Sequence, residues 1–101
     1  MKKEGPSAGV GAVTSILSLL KEKVIPKNIS MTGEISLSGK IFKVGGIREK
    51  LILAIKSGID TIYFPKDNED DVKMLKDIYN DSLNIIFVDN YEDIYKDLFK
   101  K

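Results

Sequence analysis

The second half of the chain alternates between short apolar runs and amphipathic segments, and this alternation limits the possible folds most strongly. Thr61–Pro65 and Asn84–Val88 are apolar runs of strand length bounded by turn-forming residues. Each is followed by a segment with helical spacing, which we predict to be capped by Asn68 and by Asn90. Because a helical crossover connects strands that run in parallel, this half predicts a strand–helix–strand–helix unit with right-handed connections.

A long amphipathic helix is predicted near the N-terminus. Its apolar residues step by three and four positions from residue 8 to about residue 23, which is the period of one helix face. Ile16 and Leu19 widen this face, so we expect the helix to be well buried. Pro26 ends it, because proline cannot continue a helix.

The residues after this helix indicate a β-hairpin and a second helix. Residues 29–32 alternate like a strand, and residues 34–44 contain two short strands around the turn-forming pair Ser38–Gly39. A helix is expected from residue 47 to residue 57, with Gly58 as its C-terminal glycine. The predicted fold class is α/β, with a small mixed sheet, a β-hairpin and a strand–helix–strand–helix C-terminal half.

The composition excludes several kinds of chemistry. The chain has no histidine and no cysteine, so it lacks the commonest general base, a thiol nucleophile and thiolate metal ligands. Its net charge of +1 gives no footprint for nucleic acid or for a membrane surface. Acidic residues cluster where helices are predicted to begin, which the helix dipole explains, so no metal site is predicted. We expect a soluble, intracellular protein whose acid–base chemistry uses carboxylates, lysine or tyrosine.

The hexapeptide Glu4-Gly5-Pro6-Ser7-Ala8-Gly9 precedes the first predicted helix. A Gly-Pro turn followed by serine suits a serine held at the mouth of a helix, where unpaired N–H groups stabilise developing negative charge. The alternative is that Ser7 only caps the helix, since serine is among the favoured N-cap residues. On these residues alone the capping interpretation is favoured.

Lys50 is a candidate general base. At three and four residues on either side its neighbours carry no carboxylate; they are Gly46, Ile47, Leu53 and Ala54. Lys73 and Lys96, by contrast, have acidic residues at that spacing and are typical of surface ion pairs. Apolar surroundings disfavour the charged form of lysine, and a neutral amine can act as a base. The alternative is a lysine that extends from the edge of an apolar stripe into solvent, and Lys21 has the same kind of neighbours.

Three blocks of sequence, taken together, resemble the proteolytic domain of the ATP-dependent Lon protease family. The order and intervals of the blocks match throughout, and the resemblance continues through Gly58-Ile59 and Phe64-Pro65 to near the C-terminus. The blocks are Glu4-Gly5-Pro6-Ser7-Ala8-Gly9, Met31-Thr32-Gly33-Glu34-Ile35-Ser36-Leu37 and Gly45-Gly46-Ile47-Arg48-Glu49-Lys50-Leu51.

The resemblance implies a Ser-Lys catalytic dyad. Ser7 falls on the family's nucleophile and Lys50 on its partner, which is how a histidine-free segment can carry out acyl transfer. Thr32 falls on the residue that supports the lysine, and Glu4 lines the site. Backbone N–H groups around Gly5 to Ser7 are candidates for the oxyanion hole.

The resemblance also implies a function and partners. It implies an ATP-dependent serine endopeptidase that degrades unfolded or damaged proteins and peptides as a hexameric ring, in the cytoplasm or the mitochondrial matrix. The family's proteolytic domain is longer, so residues 1–101 correspond to its C-terminal portion, and the first half of the domain and the ATPase module are absent. ATP and Mg²⁺ are expected on that module, and no cofactor is expected in this segment.

Two departures and two alternatives accompany the resemblance. Lys43 stands where the family usually has proline, and Arg48 replaces a frequent lysine; both positions are peripheral to the chemistry. One alternative is a catalytically inactive Lon-like fragment that acts only in assembly. The other is a relative whose domain is attached to a different partner and does not degrade proteins.

Overall fold

The computed structural model describes residues 7–99, apart from the side chains of Ser7 and Ala8, and has an α/β fold. None of the helices in this range is long and apolar enough to span a membrane. In chain order the elements are β1 (Ser7–Gly9), α1 (Val10–Leu20), β2 (Ile29–Met31), β3 (Glu34–Ser36), β4 (Ile41–Phe42), α2 (Ile47–Lys56), β5 (Thr61–Pro65), a 3-10 helix (Lys66–Asn68), α3 (Glu69–Lys73), α4 (Lys76–Tyr79), β6 (Asn84–Val88) and α5 (Tyr91–Phe99).

The strands of the described chain form two three-stranded sheets. The antiparallel sheet has the order β1-β3-β4, and Ser7 lies opposite Ser36 in it. The parallel sheet has the order β2-β5-β6. The predicted hairpin (β3–β4) and the predicted parallel pairing in the second half are confirmed. Gly33, with φ +130°, redirects the chain from the parallel sheet into the antiparallel one.

Two apolar cores lie on opposite faces of the parallel sheet. Strand β5 contributes side chains to both cores, because successive side chains of a strand point to opposite faces of the sheet. Tyr63 belongs to one core, which is built with Val10 of α1 and Ile94 of α5. Ile62 and Phe64 belong to the other core, whose buried members also include Leu51, Ala54, Val72, Tyr79 and Leu83. The sheet therefore carries α1 and α5 on one side and α2 to α4 on the other.

Helix α1 is shorter and less buried than predicted. It begins at Val10 and ends at Leu20, and its buried residues are Val10 and Thr14. Ile16 is 58% exposed and Leu19 is 80% exposed. The prediction of a well-buried helix is wrong because apolar periodicity locates an apolar surface and says nothing about what covers it. Within residues 7–99, α1 packs through one face only.

The helical region between β5 and β6 is interrupted. One continuous helix was expected after Asn68, but the chain forms a 3-10 helix and two short α-helices. The Asn68 side chain makes no cap hydrogen bond, so that predicted cap is wrong. Asn90, in contrast, accepts the backbone N–H of Glu92 at 3.0 Å, which confirms the predicted cap of α5. Gly58, which follows α2, has φ +75°, as expected for a C-terminal glycine.

Candidate active site

Lys50 lies in the first turn of α2, and this helix directly follows two exposed glycines. Gly46 adopts a left-handed conformation (φ +64°) at the N-cap, and its carbonyl oxygen accepts the backbone N–H of Lys50 at 3.0 Å. The Lys50 Nζ atom donates to the carbonyl oxygen of Gly45, also at 3.0 Å. The backbone and the amine of this lysine are therefore both held by the glycine pair.

Lys50 and Thr32 line the same cavity, whose volume is about 320 Å³. None of its described lining residues carries a carboxylate; the others are Ser30, Met31, Leu53, Ala54, Ser57, Ile59 and Ile62. None of the ion pairs found within residues 7–99 involves Lys50. The amine thus borders a largely apolar cavity and has no carboxylate partner within residues 7–99.

Thr32 stands where the two sheets meet. Its backbone N–H donates to the Tyr63 carbonyl oxygen at 3.0 Å, which continues the pairing of β2 with β5. The next residue, Gly33, accepts the backbone N–H of Val10 at 3.0 Å. The junction of β1 with α1 is therefore hydrogen-bonded to the residue that follows Thr32.

Ser7 lies in β1, and Gly9 (φ −70°, ψ 140°) is the N-cap residue of α1. The interpretation of Ser7 as a helix cap is therefore wrong. The side chain of Ser7 lies outside the described part of the chain, and so do Glu4 and Gly5. The structure brings Thr32 and Lys50 to one cavity, and the pairing of Ser7 with Lys50 stays a prediction.

Three other lysines of the chain have partners of a different kind. The Lys21 Nζ atom lies over the ring of Tyr95, 5.3 Å from the ring centroid. Lys73 pairs with Glu69 at 2.9 Å, and this hydrogen bond raises the pKa of Lys73. Lys96 pairs with Glu92 at 3.7 Å. Lys21 and Lys50 share a pattern of sequence neighbours, and only the structure separates them.

Sequence reasoning missed the role of Asn68. This residue is 1% exposed, and its side chain bonds to the backbone of Val44, two residues before Gly46, the N-cap of α2. The two residues are 24 positions apart in sequence, and no local spacing pattern connects them. Within the described chain, no group of three or more histidine, cysteine, aspartate or glutamate side chains is placed to hold a metal ion.

Comparison with known proteins identifies relatives across the whole chain. The profile of the family described as Lon protease (S16) C-terminal proteolytic domain matches residues 1–101. The Lon protease of Chlamydia pneumoniae is 48% identical over 99 residues, which are 98% of this chain and 12% of that protein. The mitochondrial Lon protease homologue of Saccharomyces cerevisiae is 48% identical over 98 residues, 97% of this chain and 9% of that protein. The corresponding mitochondrial homologue of Drosophila melanogaster is 44% identical over 97 residues, 96% of this chain and 10% of that protein. The chain thus spans about a tenth of the length of these relatives.

Proposed function

The chain belongs to the Lon protease C-terminal proteolytic domain family, and on this premise we propose that it carries the catalytic dyad of a serine-type endopeptidase. Ser7 is the nucleophile and Lys50 the general base. The proposal depends on one observation: Lys50 and Thr32, which the family resemblance assigns to the site, line one largely apolar cavity. The strand that carries Ser7 leads into a helix whose first N–H bonds to Gly33, the residue after Thr32.

The reaction is acyl transfer through a covalent intermediate. The Ser7 hydroxyl oxygen attacks the scissile carbonyl carbon while the neutral amine of Lys50 takes the hydroxyl proton. When the C–N bond breaks, the Lys50 ammonium gives this proton to the leaving amine. Water then attacks the acyl-serine ester while Lys50 takes a proton from it; as the ester C–O bond breaks, Lys50 gives this proton to the Ser7 oxygen and the carboxylic acid product leaves.

The surrounding groups support this chemistry. The Gly45 carbonyl oxygen orients the amine of Lys50 by accepting a hydrogen bond at the border of the apolar cavity. The Thr32 hydroxyl is a further group that can orient Lys50. Backbone N–H groups around Gly5 to Ser7 stabilise the oxyanion, and Glu4 lines the site.

The wider assignment concerns the protein that contains this segment. We place residues 1–101 at the C-terminal portion of a Lon-type proteolytic domain, next to an ATPase module that binds ATP and Mg²⁺ and feeds unfolded or damaged proteins to a hexameric ring. The support is the naming of the relatives and the small share of their length that the chain covers. Relatives named as mitochondrial are consistent with the mitochondrial matrix, and the cytoplasm is the other compartment proposed.

Substitution in the intact protease tests the dyad. Ser7→Ala is expected to abolish cleavage of a fluorogenic peptide while ATP hydrolysis persists. Lys50→Arg is expected to be nearly as damaging, because arginine stays protonated and cannot take a proton. Lys21→Arg is the matched control, since Lys21 contacts Tyr95 rather than the cavity, and it should retain activity. Substantial cleavage by Lys50→Arg would show that another group deprotonates Ser7.

A second candidate is an inactive segment that acts only in assembly. The observation that favours it is the exposed apolar surface of α1, which includes Ile16, Leu19 and Leu20 at 58%, 80% and 74% exposure. Contiguous apolar surface of this kind is typical of interaction sites. An intact protein that assembles but cleaves no peptide, with or without Ser7→Ala, would favour this candidate over the dyad.

A further inference from the structure

Asn68 is a buried polar residue. It is 1% exposed, whereas asparagine is mostly exposed in folded proteins. It ends the 3-10 helix that follows β5, between the fully buried side chains of Phe64 and Val72 in sequence. Burying an amide is unfavourable unless both its oxygen and its nitrogen find hydrogen-bond partners. The partners of Asn68 therefore indicate what the residue does.

Both partners belong to a single residue, Val44. The Asn68 Oδ1 atom accepts the Val44 backbone N–H at 2.9 Å, and Nδ2 donates to the Val44 carbonyl oxygen at 3.0 Å. This pair of bonds is the one that an opposite residue of an antiparallel strand would make. Strand β4 has ended at Phe42, so the Asn68 side chain takes the place of a strand partner just beyond it.

Val44 immediately precedes the two glycines that hold Lys50. The Gly45 carbonyl oxygen accepts Lys50 Nζ, and the Gly46 carbonyl oxygen accepts the Lys50 backbone N–H. Glycine allows more backbone conformations than other residues, so this segment needs a fixed point on its N-terminal side. On the C-terminal side, α2 is already held by the buried Leu51 and Ala54.

We infer that Asn68 is a positioning residue for Lys50. By holding both backbone groups of Val44, it fixes the peptide plane between Val44 and Gly45. This restricts where the next carbonyl oxygen, that of Gly45, can lie when it accepts Lys50 Nζ. The inference rests on the proposed function, in which Lys50 is the base. A displacement of a reacting group by about 1 Å can cost on the order of 100-fold in rate.

The test uses Asn68→Ala in the intact protease, at a temperature well below the unfolding transition of each variant. We expect kcat for a fluorogenic peptide to fall on the order of 100-fold with KM unchanged, because the base is displaced and the substrate cleft is not. Amide hydrogen exchange of residues 44–50 should accelerate selectively. This second measurement does not depend on activity.

Ile94→Ala is the matched control. Ile94 is fully buried in the core on the other face of the parallel sheet, and Val44 is not a member of that core. Truncation of Ile94 therefore lowers thermal stability at a place away from Val44. We expect this variant to keep the parent kcat and to show no selective exchange in residues 44–50. If the two variants lose stability and activity in parallel, Asn68 is merely structural and the inference is overturned.

Two further variants separate the possible failures. If Asn68→Ala does not fold, Asn68→Asp is used, because it keeps the shape of the side chain and the acceptor for the Val44 N–H but loses the donor. This variant should show the same selective exchange and the same loss of kcat. Parent-like values would overturn the inference. Lys50→Arg is measured beside it. An active Lys50→Arg overturns the proposed function, whereas an inactive Lys50→Arg with parent-like Asn68 variants overturns this inference alone.

Discussion

Replacing Gly33 with alanine is expected to destabilise the protein strongly, because this glycine lies at the crossing of the two sheets. Its φ of +130° is a conformation that residues with a side chain rarely adopt. A Cβ atom at this position would lie 2.8 Å from Ile41 Cγ2 and 3.1 Å from Pro65 Cγ. Ile41 is 0% exposed, so it has little room to move away.

Backbone strain and steric overlap together set the expected loss of stability. A residue other than glycine held in a sparsely populated backbone region costs about 1–3 kcal/mol. An extra methyl group forced into a packed core costs about 1–3 kcal/mol more. Gly33→Ala should therefore lower the free energy of unfolding by roughly 2–6 kcal/mol, which is a large part of the ~5–15 kcal/mol that stabilises a typical domain.

Urea unfolding followed by circular dichroism measures this change. Gly33→Ala should lower the midpoint by at least about 0.7 M, since the slope for small proteins is ~1–3 kcal/mol per molar urea. Gly11→Ala is the matched control, because a Cβ atom there meets nothing within 4 Å and the position is an exposed helical one. The control should gain about 0.5–1 kcal/mol. A Gly33→Ala midpoint within error of the parent, or an equal loss in Gly11→Ala, would refute the reasoning.

Two further predictions concern pH and chain length. Burial, with the hydrogen bond to Asp97 second, raises the pKa of Tyr63 to about 12, whereas an unfolded tyrosine ionises near pH ~10. The unfolded state therefore releases this proton first; the stabilisation is fully present below about pH 10 and is lost as the pH rises toward about 12. Tyr63→Phe should flatten this alkaline loss in a series of urea titrations, and an unchanged slope would contradict the assignment. The isolated chain of 101 residues should show little or no peptidase activity even when folded. Ser7 lies on β1, which is an edge strand of its sheet within residues 7–99 and is therefore held by a neighbouring strand on one side only. A nucleophile misplaced for this reason can cost ~100-fold in rate. Turnover near that of the intact protease, absent in Ser7→Ala, would show that residues 1–101 already carry a complete site.

The sequence alone was sufficient to indicate the family. Three blocks in register identified the family that the profile match then established over residues 1–101. The blocks also singled out Lys50 and Thr32, which the structure brings to one cavity. Without the resemblance, spacing alone left Lys50 equal to Lys21, because local neighbours do not reveal which lysine borders an apolar cavity and which lies over an aromatic ring.

Local structure was determined largely by the sequence itself. Strand β5 was predicted with its observed bounds, and the hairpin β3–β4, α2 and the cap of α5 by Asn90 were predicted within a few residues. These features depend on side-chain period, on glycine and proline geometry and on short-range hydrogen bonds, all of which act between residues close in the chain.

Only the tertiary structure decided which surfaces are covered and which distant groups meet. The division of the strands into two sheets depends on Gly33, whose space is limited by Ile41 and Pro65 from other parts of the chain. Helix α1 packs Val10 into a core, whereas the apolar side chains of Ile16 and Leu19, which periodicity added to its buried face, stay exposed within residues 7–99. Asn68 had the sequence context of a helix cap, yet its amide bonds to Val44, because a buried amide takes the partners that folding brings to it rather than those nearest in sequence.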